Sequence, residues 1–362
     1  MTSTPSLFTP INMGDLTLPN RVLMAPLTRN RANADGTPAA MAKTYYAQRA
    51  TAGMILTEAT QISPMGKGYL DTPGIYNDAQ VEGWREITDT VHAHGGRIYC
   101  QLWHVGRISH VSLLPDGAQP VSSTDKAANA QTFTANGFED CSKPVALDAD
   151  GIAATVADYA KAAQAARDAG FDGIEVHAAN GYLLDQFLQD GVNDRTDAYG
   201  GTVQNRMRFL EEVLDAVSDV FPTSRIGVRL SPLGEANDMS DSDPETHFAE
   251  IYKMLDARNL AYLHVVEKFP GNDGARDVIR ALRPNYSGFY ISNGGYDAEK
   301  ARKALDEGHA HAVTFGRPFI ANPDLPERFR RGAALNDPDP DTFYGGDEKG
   351  YTDYPFLPDD PA

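Results

Sequence analysis

Short apolar runs alternate with longer amphipathic stretches along most of the chain. Eight of the runs read as strands, at residues 22–26, 54–59, 97–103, 173–177, 226–230, 262–266, 289–293 and 312–316. Each is rich in β-branched or bulky apolar side chains and closes on a polar residue, Gly or Pro. Between them the period becomes helical. Ile152, Val156, Tyr159, Ala163 and Ala166 share one face, with Asp150 as the N-cap and Gly170 as the stop. Thr202 opens a helix that carries Val203, Met207, Leu210, Leu214 and Val217. Asp297 caps a helix over 298–307 that stops at Gly308, and Asp78 starts one that runs to His94 and stops at Gly95.

Eight strands alternating with helices predict an α/β chain with a parallel sheet closed into a (β/α)₈ TIM barrel. The rival, an open doubly wound sheet, lacks its usual marks here: neither G-x-G-x-x-G nor G-x-x-x-x-G-K-[ST] occurs. Right-handed crossovers place every strand's C-terminal end on one face, where barrel active sites sit. Residues 10–20 read as an N-terminal hairpin turning at Gly14-Asp15 and plugging the opposite end. Residues 104–147, rich in Ser, Gly, Pro and Asn, form an inserted lid after strand 3. The Pro- and Asp-rich tail, 337–362, carries Phe343, Tyr344, Tyr351, Tyr354 and Phe356, which predicts packing on the barrel. Residues 1–362 are thus expected to form a single domain.

Composition narrows the class of partner. Of 362 residues, 41% are hydrophobic and 23% charged, and 32 basic against 50 acidic side chains give a net charge of −18. Such a surface repels phosphate backbones and anionic lipid, so neither nucleic acid nor membrane is expected as a partner. No apolar run approaches the ~18–20 residues of a membrane span. The first ten residues have neither the basic nor the apolar region of a signal peptide, so the expected location is cytoplasmic. Cys100 and Cys141 then read as two free thiols.

The candidate chemistry gathers at the strand ends. Strand 4 runs into His177, followed by Asn180 and Tyr182. An imidazole and a carboxamide can both donate to one substrate oxygen, and a phenol with an ordinary pKa of ~10 is a proton donor that stays protonated at neutral pH. The plainer reading makes His177 structural and Tyr182 a helix start. Other strand ends are polar too: Thr28 and Arg29, Glu58, Gln101 and His104, Arg229 and Ser231. Glycines after strands 7 and 8, with Arg317 beside them, fit the phosphate site of barrel enzymes.

These residues carry a resemblance. NRVLMAPLT at 20–28, YYAQR at 45–49, EATQIS at 58–63, QLWH at 101–104, the stretch 177–187, RTDAYGG at 195–201, FGR at 315–317, ANPDL at 321–325 and GYTDYP at 350–355 follow in order. The chain resembles the Old Yellow Enzyme family of FMN-dependent ene-reductases, which includes N-ethylmaleimide and nitrate-ester reductases. The resemblance implies a flavoprotein oxidoreductase of the NADPH dehydrogenase type. It would hold FMN tightly but non-covalently, use NADPH or NADH, and reduce electrophilic alkenes or nitro compounds as small-molecule substrates. It would work as a monomer or homodimer.

By the same resemblance, Asn293, Gly294, Gly295, Gly316 and Arg317 hold the FMN phosphate. Pro26, Leu27 and Ala59 contact the ring system, and the Thr28 hydroxyl reaches its O4. Gln101 meets the pyrimidine edge, and Arg229 faces N1 and O2, where a permanent cation stabilises reduced flavin. The alternative task for Arg229 is an ion pair with Glu175. His177 and Asn180 bind the activating oxygen of the substrate and, in turn, the nicotinamide carboxamide. Tyr182 protonates the α-carbon, and Trp103, Tyr69 and Tyr351 wall the site. One site for both halves implies ping-pong kinetics.

The family varies at two of these positions. Some members carry His in place of Asn180, and one branch has Cys in place of Thr28. Two cysteines cannot hold an iron–sulfur cluster. His92, His94, His309 and His311 lack ligand-spaced partners, so no metal is expected. Two rival readings are a flavin-free barrel hydrolase using Glu58 and Glu175, and a non-catalytic flavin-binding protein.

Overall fold

A ring of parallel pairings closes eight strands into a barrel. In the computed structural model, which describes residues 6–269, 271–272 and 274–358, they are β1 (Val22–Met24), β2 (Ile55–Leu56), β3 (Ile98–Trp103), β4 (Gly173–Ala178), β5 (Ile226–Leu230), β6 (Tyr262–Val266), β7 (Tyr290–Asn293) and β8 (Ala312–Phe315). Each pairs with the next in chain order, and β8 returns to β1 through Val313↔Val22 and Phe315↔Met24. This is the (β/α)₈ barrel that the alternation predicts. Residues 1–5, half of the stretch read for a signal peptide, and the tail residues 359–362 lie outside the described residues.

Nearly every barrel-strand position is buried, as strands with core on both sides require, and Val, Ile and Leu supply the bulk. The second predicted strand is interrupted. Pairing stops after Leu56, the Glu58 N–H donates to the Tyr46 hydroxyl at 3.0 Å, and Thr60–Gln61 then pairs with the far end of β3.

The helices fall between the strands. They include α1 (Ala40–Ala47), α2 (Asp78–Ala93), α3 (Ala149–Asp168), α4 (Leu183–Leu188), α5 (Val203–Ser218), α6 (Pro244–Asp256), α7 (Ala275–Leu282) and α8 (Ala298–Asp306). Thr202 and Asp297 cap α5 and α8 as expected, accepting from the N–H groups of Asn205 and Lys300. One cap is corrected: Asp148, not Asp150, caps α3, accepting from Gly151 N–H at 2.8 Å, whereas α2 begins at Asp78 as expected, behind an Asn77 cap. A cap must hold an extended backbone while its side chain reaches three residues forward. Asp150 and Asp78 already lie inside their helices, where a carboxylate still favours the positive helix end.

The strand Ile11–Met13 pairs antiparallel with Leu16–Leu18. Met13, Leu16 and Leu18 are buried in one cluster with Leu23, Met54, Leu56, Tyr99, Tyr262 and Ile291, so the hairpin seals the N-terminal end of the barrel. Gly14 makes its turn at φ +57°, and a Cβ there would stand 2.1 Å from the Ser224 carbonyl oxygen.

Within 104–147, Gln131–Thr134 and Gly137–Asp140 form an antiparallel hairpin. It is tied to the barrel side by Leu70 N–H donating to Phe133 O at 3.0 Å. Farther along the chain, the Arg29 guanidinium donates to the carbonyls of Thr342, Phe343 and Gly350, which fastens that segment above strand β1. Cys100 and Cys141 are buried free thiols. Among the described residues, no helix is long and apolar enough to cross a membrane.

Candidate active site

Strand β4 delivers His177 to the mouth, and the chain reverses immediately afterwards. Asn180 and Gly181 both take positive φ, +57° and +77°, and Tyr182 N–H returns to Ala179 O at 3.2 Å. Asn-Gly is the dipeptide that tolerates this left-handed pair best. The turn is fixed from outside: Asn180 N–H donates to Ser231 Oγ at 2.7 Å, and the Asn237 amide donates to Asn180 O at 2.8 Å. Asp185 accepts from Gly181 N–H, and its burial pushes the carboxyl up to about 7. Tyr182 then stands at the N-terminus of α4 with an extended backbone.

With the backbone so committed, several side-chain donors are left over. His177 is buried and its Nδ1 has no partner; the Asn180 carboxamide makes no hydrogen bond among the described residues. Buried polar groups are normally paired, so unpartnered donors at the mouth mark a ligand position. Burial, with the charges of Arg229 and His264, holds His177 well below its ordinary pKa, so the ring is neutral. Tyr182 is raised above its ordinary value, chiefly by burial, and stays protonated. Its hydroxyl lies 3.2 Å from that of Tyr69. Trp103 joins them, stacked on Tyr69 at 5.9 Å and edge-on to Tyr182 at 5.0 Å, with its Nε1 unpartnered.

Below this lies a buried polar chain. Gln101 donates from Nε2 to Glu175 at 2.7 Å, the other Glu175 oxygen meets His264 Nδ1 at 2.8 Å, and His264 Nε2 meets Thr314 Oγ1 at 2.8 Å. A carboxylate opposite Nε2 leaves the Gln101 carbonyl oxygen as its open end. Arg229 donates to Asn293 Oδ1 at 3.2 Å and keeps Nε free of protein partners. Among the described residues it forms no direct ion pair with Glu175, whose oxygens are held by Gln101 and His264, although its charge helps to lower that carboxyl. The hydrolase pair is likewise engaged elsewhere: Glu58 accepts from Arg29 N–H at 3.2 Å behind the mouth.

The opposite side of the mouth is a cradle. Gly294 and Gly295, with φ of +113° and +66°, follow Asn293 at the end of β7. A Cβ on Gly294 would stand 2.8 Å from Lys268 N, so only glycine admits that close approach. Gly316 follows β8 against Leu27, and Arg317 is exposed, with no ion pair among the described residues. Pro26, Leu27 and Thr28 are half-buried at the end of β1, and Ala59 is buried beside Trp103. The Thr28 hydroxyl has no partner among the described residues.

Tyr351 does not line this site and is corrected. It is fully buried, stacked on Tyr45 at 4.1 Å with the Arg29 and Arg31 guanidinium groups over its ring. Tyr344 is exposed and stands near both Tyr69 and Tyr182, which makes it the candidate for the wall position instead. Tyr344, Asn237 and Ser231 are site residues missed in the sequence. Asp190, Asp241 and His247 cluster closely enough for a metal, but Arg206 already sits 2.7 Å from His247 Nδ1.

A closed barrel with unpartnered donors at one side of its mouth and glycines beside an arginine at the other has the layout of a barrel enzyme, and the comparisons with known proteins give its class as a flavin oxidoreductase. The model of the NADH:flavin oxidoreductase / NADH oxidase family matches residues 6–336. Morphinone reductase in complex with tetrahydroNAD is 52% identical with a TM-score of 0.92, covering 98% of both chains. The old yellow enzyme homologue from Zymomonas mobilis is 45% identical with a TM-score of 0.94, covering 98% of this chain and 100% of its own. Putative 12-oxophytodienoate reductase 11 of Oryza sativa subsp. japonica is 45% identical over 99% of this chain and 100% of its own length. The chain belongs to the Old Yellow Enzyme family.

Proposed function

We propose that the protein is an FMN-dependent, NAD(P)H-consuming ene-reductase. Its substrates would be α,β-unsaturated carbonyl compounds, maleimides and nitro compounds, with nitrate esters as a further class. The observation that carries this reading is the pairing of two partnerless donors, His177 and Asn180, beside a phenol that stays protonated.

The residues present fit FMN. Gly294, Gly295, Gly316 and Arg317 offer N–H groups and a cation for a phosphate. Arg229 Nε and the open end of Gln101 offer a donor and an acceptor for the polar edge of the ring, and Thr28 offers a hydroxyl. Bound FMN would supply the hydride-transfer chemistry between nicotinamide and alkene.

The chain's own residues do the rest. Neutral His177 and the Asn180 amide donate to the oxygen of the activating group, drawing electron density from the double bond and fixing the substrate's orientation. Tyr182 gives its proton to the α-carbon, and Tyr69, at hydrogen-bond distance, steadies the hydroxyl that has lost it. Trp103 and Tyr344 wall the substrate, and the same His177–Asn180 pair receives the nicotinamide carboxamide in the preceding half-reaction. The test is direct. Anaerobic NADPH or NADH should bleach the yellow protein, and 2-cyclohexenone should restore the colour. A flavin-free preparation that FMN cannot reconstitute would end the proposal.

A further inference from the structure

Glu267 follows β6 and is completely buried, yet nothing in the proposed chemistry uses it. Its carboxylate accepts from His309 Nε2 at 2.7 Å, Ser292 Oγ at 2.9 Å, Tyr290 at 3.3 Å and the Tyr296 hydroxyl. Its own N–H donates to Asn293 O at 2.8 Å. Burial alone would raise this carboxyl, but His309, Tyr296 and Ser292 hold it below its ordinary range, so it is an anion.

That anion faces Arg276 of α7, whose Nε lies 3.9 Å away and whose guanidinium lies 4.5 Å over the Tyr296 ring. Arg276 Nη2 donates to the carbonyl oxygen of Gly294. The C=O and N–H of a trans peptide point in opposite directions. Drawing the Gly294 oxygen toward Arg276 therefore turns the Gly295 N–H to the other side, and that N–H has no acceptor among the described residues.

We infer that Glu267 and Arg276 are positioning residues of the phosphate cradle: the buried anion fixes the guanidinium, and the guanidinium orients the Gly294–Gly295 peptide so that its N–H is presented to the FMN phosphate. This rests on the FMN reading above.

The test compares two flavins. FMN release from the holoprotein is followed by flavin fluorescence on dilution, and riboflavin, which lacks the phosphate, is exchanged into the same protein. Arg276→Met should weaken FMN binding about tenfold, leave riboflavin binding within twofold, and shift the ³¹P resonance of bound FMN. Arg276→Lys, which keeps a charged donor group, should recover most of the FMN affinity. Arg276 is partly exposed, so its replacement leaves the core intact; Glu267→Gln should act in the same direction. Wild-type FMN affinity in Arg276→Met, or an equal loss for both flavins, overturns the inference. A wild-type protein that binds neither flavin removes the functional reading and this inference with it.

Discussion

The hydroxyls of Tyr182 and Tyr69 lie 3.2 Å apart across the barrel mouth, each on a ring packed against Trp103. Their roles differ, because Tyr182 alone also sits edge-on to His177 at 5.2 Å. Tyr182→Phe should slow enone reduction by about 10²-fold or more, the scale of a lost general acid, and leave flavin reduction by NAD(P)H nearly intact. Tyr69→Phe removes one supporting hydrogen bond and should cost about tenfold or less. Stopped-flow measurement of the two half-reactions checks both. Equal slowing of both halves in Tyr182→Phe would refute its role.

The pH dependence follows from burial. His177 is held well below its ordinary value of ~6.5, so it takes up no proton as pH falls through that value. Tyr182 is raised above ~10, so it loses none as pH rises toward it. Neither His177 nor Tyr182 should therefore give the oxidative half-reaction an inflection between about pH 6.5 and about pH 10; within that window the titrating group of the turn is Asp185, raised to about 7. An inflection near 6.5 that disappears in His177→Ala would contradict the neutral imidazole.

Arg229 is buried, keeps its Nε free and has no carboxylate partner within salt-bridge distance among the described residues. Its positive charge should favour reduced, anionic flavin. Arg229→Met should lower the flavin midpoint potential by roughly 30–60 mV, corresponding to about 1.4–2.8 kcal/mol for two electrons. Spectroelectrochemical titration reads this, and an unchanged potential would place the charge elsewhere.

Two tyrosines seven positions apart should behave oppositely. The Tyr351 ring is stacked and fully buried, but its hydroxyl has no hydrogen-bond partner. Tyr351→Phe should be neutral or slightly stabilising, and Tyr351→Ala should cost about 3–5 kcal/mol in unfolding free energy. Tyr344→Ala should leave stability alone and raise KM for bulky enones. Thermal melts and steady-state kinetics on the three variants separate the assignments.

The barrel was legible because each strand is a closed packet of apolar residues, and the helical period returns between packets. Caps were less legible. Asp148 and Asp150 have the same chemistry, and only the backbone conformation distinguishes a cap from a first-turn acid. His177, Asn180 and Tyr182 were readable because they sit within six residues at one strand end. Tyr344 was not, because the segment around it has no periodicity to say which ring turns toward the mouth. Glu267 and His309 are 42 residues apart, and no local pattern joins them.

The hairpin built from Met13, Leu16 and Leu18 makes the barrel a vessel with a stoppered base. The chain of Glu175, His264 and Thr314 inside it is buried from bulk water, so its protons should exchange with the medium only when the structure locally opens.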